Sequence, residues 1–136
     1  MKIIVCLDDR DGMMFNKRRQ SQDRALREDV LLLTGKSRLY MNEYSKKQFT
    51  EKAGNIVTDD AFLFLADDED YCFVEDVDVS DFIDVIDTVI VYRWGRVYPS
   101  DMRFPTSAFR GRWHLQSQSE FVGNSHKKIT REIYVL

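Results

Sequence analysis

Residues 88–136 read TVIVYRWGRVYPSDMRFPTSAFRGRWHLQSQSEFVGNSHKKITREIYVL, and the architecture of the chain can be inferred from this stretch outward. Thr88–Tyr92 is a short β-branched run of the kind that forms a strand buried on both faces. Trp113–Phe121 and Lys128–Val135 are predicted as two further strands, separated by a turn at Gly123-Asn124-Ser125. The chain is therefore predicted to end in a buried strand, a crossing loop and a long antiparallel hairpin.

The preceding residues supply the other strands of the predicted sheet. Lys2–Leu7 is a continuous apolar run, which favours a central parallel strand over an edge strand. Arg38–Met41 and Tyr71–Val74 are predicted as two further strands, and Gly54–Thr58 as a weak one. Together with Thr88–Tyr92 they indicate an α/β fold, with a mixed central sheet, parallel inner strands and a C-terminal antiparallel hairpin.

Helices are predicted between these strands. Ser21 or Asp23 can cap a helix over Arg24–Leu33, because apolar residues recur there at helical spacing. The buried stripe of this helix is expected to be Leu26, Val30 and Leu33. Three further helices are predicted: one after Asn42–Ser45 that runs to about Lys52, one over Asp59–Ala66 with Phe62, Leu63 and Leu65 pointing inward, and one over Val79–Ile86.

Length and composition predict a single folded domain over residues 1–136. The chain is 43% hydrophobic and 12% aromatic, as in ordinary globular proteins. No apolar run approaches the roughly twenty residues of a membrane span, and the N-terminus begins on a strand-like segment without a signal-peptide pattern. We therefore expect a cytoplasmic protein with no membrane partner. Cys6 and Cys72 are expected to be buried, reduced thiols without metal-binding spacing.

Charge is unevenly distributed along the chain, although the net charge is only −3. Residues 1–52 carry a net charge of +4, and residues 88–136 a net charge of +5. Residues 53–87, which we call the acidic block, hold twelve Asp or Glu residues and no Lys or Arg. A solvated acidic face is the simplest interpretation. The alternative is a field that repels nucleic acid on one side of the molecule and attracts anions on the other.

Four landmarks follow one another in the C-terminal stretch. They are a D-x-x-F-P loop, a W…SEF strand, an N-S-H turn and a final strand, at Asp101, Phe104, Pro105, Trp113, Ser119–Phe121, Asn124–His126 and Glu132–Leu136. In this order they resemble the C-terminal part of the dihydrofolate reductases. The resemblance in element order spans most of the chain and implies a dihydrofolate reductase-like fold. Its clearest part is residues 88–136 and its weakest part is the middle of the chain, which implies degenerate sites.

The resemblance implies a substrate cleft beside the segment that follows the first strand. In reductases this segment is a loop over the active site, and it usually carries a Pro-Trp pair. Here the loop lacks both residues and reads Asn16, Lys17, Arg18, Arg19, Gln20 and Ser21. Reductases also place a carboxylate near the start of the following helix to assist protonation of the pterin, and Asp23 is the nearest candidate. Helix capping alone also explains an aspartate at that position, and we favour this interpretation.

An anionic group is the ligand expected in this cleft, between residues 16–21, the first helix and the end of the Thr88–Tyr92 strand. Arginine pairs bidentately with carboxylate or phosphate, which favours such a ligand. The predicted ligand-binding residues are Asn16, Arg18, Arg19, Gln20, Ser21, Arg93 and Arg96.

The elements that hold the cofactor phosphates in reductases are replaced in this chain. Reductases use a G-R-x-[ST] junction and a helix N-terminus; here Asn42 and Glu43 stand where Gly and Arg would be. A glycine triplet that approaches the pyrophosphate is replaced by a segment with Glu75, Asp76 and Asp78. Because these carboxylates would face a dianion, we predict that the chain binds neither NADPH nor another cofactor.

Other chemistries lack their motifs. Small bacterial proteins of similar appearance have been labelled ribonuclease Z, but that enzyme needs an H-x-H-x-D-H cluster for two zinc ions, and this chain has only His114 and His126. No phosphate-binding loop and no G-x-S-x-G nucleophile elbow occur. The acidic run Asp67–Asp70 lacks the spacing of a calcium loop. His126 lies beside Ser125 in a turn, and we expect it to form local hydrogen bonds only.

The sequence therefore favours a non-redox binding domain for an anionic small molecule or a nucleotide-like ligand, and not a working dihydrofolate reductase. Two alternatives remain open. One is a diverged pterin or flavin reductase. The other is a protein or nucleic-acid interaction module, in which the arginines and aromatic residues of the 93–113 segment would pair with phosphates and stack on bases.

Overall fold

The computed structural model describes all residues, 1–136, and has a seven-stranded sheet at its centre. A second sheet of three short strands lies beside it. The strands are β1 (Lys2–Leu7), β2 (Gly12–Phe15), β3 (Arg18–Arg19), β4 (Leu39–Met41), β5 (Ile56–Thr58), β6 (Tyr71–Phe73), β7 (Thr88–Arg93), β8 (Met102–Arg103), β9 (His114–Phe121) and β10 (Ile129–Val135). The helices are α1 (Arg24–Thr34), α2 (Glu43–Lys46) and α3 (Phe62–Leu65), with 3-10 turns at Ser80–Val85 and Thr106–Phe109.

The large sheet has the strand order β5-β4-β6-β1-β7-β10-β9. Strands β5, β4, β6, β1 and β7 are parallel to one another. Strand β10 pairs with β7 antiparallel, and β9 pairs with β10 antiparallel, so the C-terminal hairpin extends one side of the sheet. The predicted fold class is confirmed: the inner strands are parallel and the hairpin is antiparallel.

Strand β1 lies at the centre because both of its faces are apolar. Ile3, Val5 and Leu7 pack into one core cluster, and Ile4 packs into a second cluster on the other face. A strand buried on both faces needs a continuous apolar run, and β1 has one.

Cys72 is buried in β6 and both cysteines are free thiols, although Cys6 is only partly buried.

Helix α1 forms close to its predicted limits. Asp23 is its N-cap, since the carboxylate accepts a hydrogen bond of 2.9 Å from the backbone N–H of Ala25. Gly35, with φ of 58°, closes the C-terminal end by donating to the Leu31 carbonyl. Leu26 and Val30 are buried as predicted, whereas the Leu33 side chain is only partly buried.

The segment predicted as an active-site loop is instead a β-hairpin. Strands β2 and β3 pair antiparallel, and β8 pairs with the other edge of β2. The two turn residues, Asn16 and Lys17, have φ of 53° and 60°, as a two-residue hairpin turn requires. The sequence prediction was wrong here because lysine is an uncommon residue at such a position.

The other predicted helices are shorter than expected. Helix α2 ends at Lys46. Beyond it, the backbone N–H groups of Gln48 and Phe49 donate to the carbonyls three residues earlier, as in a 3-10 turn, and the Phe49 side chain is buried. In α3 the side chains of Phe62 and Leu63 are buried, but Leu65 is 49% exposed, so its predicted inward position was wrong. Residues Ser80–Val85 form a 3-10 turn in place of the predicted α-helix.

Candidate functional site

The start of α1 meets the loop between β9 and β10 around the Asp23 carboxylate. Beyond its capping bonds, Asp23 accepts hydrogen bonds from the backbone N–H of Asn124 at 2.9 Å and of Ser125 at 2.8 Å. Its Oδ2 atom also lies 2.9 Å from Nδ1 of His126. A carboxylate with this many donors is held in place. Asp23 therefore joins α1 to the C-terminal hairpin, in addition to the capping predicted from sequence.

The same contacts keep Asp23 ionised. Burial alone would raise the pKa of the Asp23 carboxyl, but the hydrogen bonds from Asn124, Ser125 and His126 outweigh burial and lower the pKa well below its usual range. Gly123 is required at the edge of this contact, because a Cβ atom there would lie 2.8 Å from Asp23 Oδ2.

His126 is held by residues far away in the sequence, and the prediction that it forms only local hydrogen bonds was wrong. Because the ionised Asp23 can only accept, His126 Nδ1 carries a proton and donates it to Asp23. Nε2 lies 3.0 Å from the Ser21 hydroxyl and 3.2 Å from the Tyr98 hydroxyl. The ring stacks on Trp94 at a centroid distance of 4.6 Å.

The order Asp23, His126 and Ser21 is that of a relay that activates a serine nucleophile. Two features limit such a role here. The Tyr98 hydroxyl contacts the same Nε2 atom as the Ser21 hydroxyl, and His126 is only 5% exposed beneath Trp94. The arrangement ties three distant segments together through one imidazole, and one of its members, Tyr98, lines a neighbouring cleft.

That cleft lies beside the β2–β3 hairpin and has a volume of about 320 Å³. It includes part of the predicted 16–21 segment, but no residue of α1 or of the Thr88–Tyr92 segment lines it. Arg18 is exposed there, and its guanidinium forms no ion pair or hydrogen bond within the chain. Phe15 and Tyr98 supply aromatic surface. The full lining is Phe15, Asn16, Arg18, Arg19, Gln20, Tyr98 and Pro99.

Arg19 lines the same cleft, but its guanidinium is already paired. It forms a bidentate contact with Glu75, with Nε at 2.9 Å from Oε2 and Nη2 at 3.1 Å from Oε1. It also lies over the Tyr44 ring, 4.4 Å from the centroid. Burial alone would lower the pKa of Arg19, but the Glu75 hydrogen bond outweighs burial and raises it. An anionic ligand would have to displace Glu75 to reach Arg19.

Glu75 and Asp76 tie the end of β6 to the start of α2. Glu75 is buried and accepts a hydrogen bond of 2.9 Å from the Ser45 hydroxyl. Asp76 accepts one of 2.9 Å from the side-chain amide of Asn42, whose carbonyl oxygen caps α2 through the Ser45 N–H. The resemblance to reductases implied that the end of β6 and the start of α2 would be two separate cofactor-binding segments. In this structure the two segments are hydrogen-bonded to each other.

The remaining predicted site residues are divided between different places. Gln20 donates to Asp8 at 3.0 Å, and its Oε1 atom is buried without a partner. Arg93 pairs with Asp11 at 2.8 Å and with Glu132 at 2.9 Å, and it lines a separate cleft with Arg110 and Trp113. Arg96 is exposed and does not line the Arg18 cleft. The predicted group of arginines therefore does not converge.

Sequence reasoning missed the roles of Tyr98, Trp94 and His126. Their partners lie up to 105 residues away, and no local periodicity or spacing reports such contacts. The N-S-H turn was noticed, but nothing in it showed that its imidazole would reach the start of α1.

A larger cleft, of about 540 Å³, lies elsewhere, beside the starts of β4 and β5. Its cations are Lys36, Arg38 and Lys52, and Arg38 is already paired with Asp67 and Asp70. Although this cleft is larger, we do not choose it as the candidate site, because none of its lining residues is aromatic.

No cluster of three or more His, Cys, Asp or Glu side chains could hold a metal ion. None of the helices has both the length and the hydropathy that a membrane crossing requires.

The fold is similar to that of a dihydrofolate reductase from Enterococcus faecalis solved in complex with NADP(H) and RAB-propyl. The TM-score is 0.66, the sequences are 10% identical, and the match covers 98% of this chain and 94% of that chain. No protein-family model and no curated protein matches the sequence. The chain thus has a dihydrofolate reductase-like fold. At this identity the likeness establishes architecture and not activity.

Proposed function

We propose that this chain is a non-redox binding domain on a dihydrofolate reductase-like fold that no longer binds NADPH. The single observation that carries the proposal is the position of Glu75. In reductases the end of this strand approaches the cofactor pyrophosphate. Here a buried carboxylate of the chain itself occupies that end and accepts hydrogen bonds from Arg19 and Ser45. An internal anion thus takes the place of a bound one.

A dinucleotide would meet two obstacles there. Its phosphates would have to displace Glu75 from Arg19, and Asp76 and Asp78 would remain beside them. Like charges in close contact cost several kcal/mol, which corresponds to roughly a thousandfold loss of affinity.

The ligand class follows from the cleft beside the hairpin. Arg18 offers an unpaired guanidinium, which binds carboxylate or phosphate through two parallel hydrogen bonds. Phe15, 47% exposed, and Tyr98 offer faces on which a flat ring can stack. An anionic small molecule or nucleotide-like ligand fits both features. The cleft volume of about 320 Å³ is at the lower end for small-molecule sites.

Thermal unfolding with a panel of carboxylates, nucleotides and short oligonucleotides tests this proposal. We expect at least one compound to raise the midpoint by several degrees, since a hundredfold excess over Kd stabilises by about 2.7 kcal/mol. Arg18→Ala should abolish that shift and leave the unliganded midpoint unchanged, because the side chain is exposed and unpaired.

Arg110→Ala is the matched control, because Arg110 is exposed and lines a different cleft. It should leave the ligand-induced shift intact. A shift that survives Arg18→Ala, or a panel without any stabiliser, would contradict the proposed site.

A further inference from the structure

The acidic block contains an apolar groove that the proposed ligand site does not use. The groove has a volume of about 300 Å³ and lies between α3 and the Ser80–Val85 turn. Buried Met1 and Leu63 contribute to its lining. Its other lining residues are Phe64, Ala66, Asp67, Asp68, Phe82 and Val85.

The aromatic wall of this groove is exposed to solvent. Phe64 is 81% exposed and Val85 54% exposed. The Phe64 ring meets the Phe82 ring edge to face, with 4.9 Å between centroids, so the two rings form one continuous apolar surface. A face that only meets solvent has no use for a phenylalanine that is 81% exposed beside a second, partly buried one, whereas such surfaces are typical of protein interaction sites.

Carboxylates surround the groove and define its electrostatic character. Asp67 and Asp68 lie on one side, and Asp81 and Asp84 follow on the Ser80–Val85 turn. Asp68 and Asp81 form no ion pair, and the contact of Asp84 with Arg112 is long, at 3.9 Å between two exposed groups. Cations from other segments reach part of this surface, since Arg38 pairs with Asp67 at 3.2 Å and Lys2 Nζ donates to the Asp68 backbone carbonyl at 3.0 Å. The side chains of Asp68 and Asp81 stay unpaired, so a molecule that covers them gains from positive charge.

We propose that the groove is a docking site for a basic segment of a partner protein. An apolar side chain of the segment packs against Phe64, Phe82 and Val85, and flanking Lys or Arg residues pair with Asp68 and Asp81. Charge complementarity selects this occupant, because nucleic acids and anionic lipid surfaces are repelled by the same carboxylates. This docking site is independent of the ligand proposed for the Arg18 cleft.

Selection of a random peptide library on the immobilised full chain tests the proposal. Enriched peptides should carry Lys or Arg around a Leu, Ile or Phe. The consensus peptide, labelled and measured by fluorescence anisotropy, should bind more weakly as salt rises. Phe64→Ala and the double variant Asp68→Lys/Asp81→Lys should each weaken binding at least tenfold.

Two matched controls accompany these variants. Leu32→Ala removes another exposed apolar side chain, 82% exposed on α1, and Asp9→Lys reverses an exposed charge outside the acidic block. Both should bind like the unmodified protein, and circular dichroism should show that every variant is folded. Enrichment of acidic peptides, no enrichment, or binding unaffected by Phe64→Ala would overturn the proposal. Self-association that Phe64→Ala abolishes would also overturn it, by identifying a second copy of the chain as the occupant.

Discussion

At the scale of single residues, the helix-capping role of Asp23 could be predicted from the sequence, but its long-range hydrogen bonds could not. An aspartate before an apolar helical repeat signals an N-cap, and the structure confirms the cap. Its other partners, Asn124, Ser125 and His126, are about a hundred residues away. Capping follows from local preference, but these contacts arise only when the hairpin returns to the start of α1.

Asp23→Asn should lower the free energy of unfolding by about 2 kcal/mol at pH 7, because a buried charged acceptor of several hydrogen bonds is lost. The pKa of Asp23 is lower in the folded chain than its unfolded value of about 3.9. Its contribution is therefore complete above that value and is lost as pH falls through the folded pKa. Urea unfolding should show the gap between the two proteins narrowing below about pH 4.

Asp9→Asn removes an exposed carboxylate whose side chain has no hydrogen bond, and it should change stability by less than about 0.5 kcal/mol. A gap between Asp23→Asn and the unmodified protein that stays constant into acid would show that Asp23 is not held as an ion.

At the scale of elements, the β2–β3 hairpin departs most from what the sequence indicated. Its turn lacks glycine, so the usual Asn-Gly signal of a two-residue hairpin is missing, and the segment was predicted to be an active-site loop. The hairpin brings Arg19 to Glu75. The sequence placed Glu75 at the end of its strand, but it could not show that a second element would neutralise it.

Removing Arg19 should show how much the buried Glu75 depends on its counter-charge. Arg19→Ala should destabilise the chain by about 3 kcal/mol, because Glu75 is left buried without its counter-charge. Adding Glu75→Gln to Arg19→Ala should recover part of the loss, since the unpaired charge is gone. Chemical denaturation of the two single variants and the double variant gives the coupling energy.

Arg18→Ala is the matched control one residue away, with an exposed and unpaired side chain, and it should be neutral for stability. Additive effects of the Arg19 and Glu75 substitutions would contradict the ion pair.

At the scale of the whole molecule, the parallel inner strands and the antiparallel hairpin could be predicted, because periodicity and buried apolar runs indicate them. The central β1 and the C-terminal hairpin were both placed correctly. Helix lengths were less predictable: α2 ends at Lys46 and α3 at Leu65, both short of their predicted limits. The fold likeness persists at 10% sequence identity, since many apolar sequences satisfy one architecture.

The site was less predictable than the fold for a physical reason. A ligand site depends on which charges remain unpaired after folding, and pairing is a property of the three-dimensional structure. Two of the arginines predicted to bind an anion, Arg19 and Arg93, form ion pairs with carboxylates of the chain. Arg18 remains unpaired beside an aromatic cleft. From the sequence alone, all of these arginines were equally good candidates for binding an anion.

Isothermal titration calorimetry of the unmodified protein with NADPH at low salt tests the proposed loss of the cofactor site. The Enterococcus faecalis reductase, solved with NADP(H), serves as the positive control. We expect no saturable heat for this chain up to about 1 mM NADPH, because Glu75 already occupies Arg19 and Ser45. A dissociation constant in the micromolar range would contradict the proposed loss of the cofactor site and favour a diverged reductase.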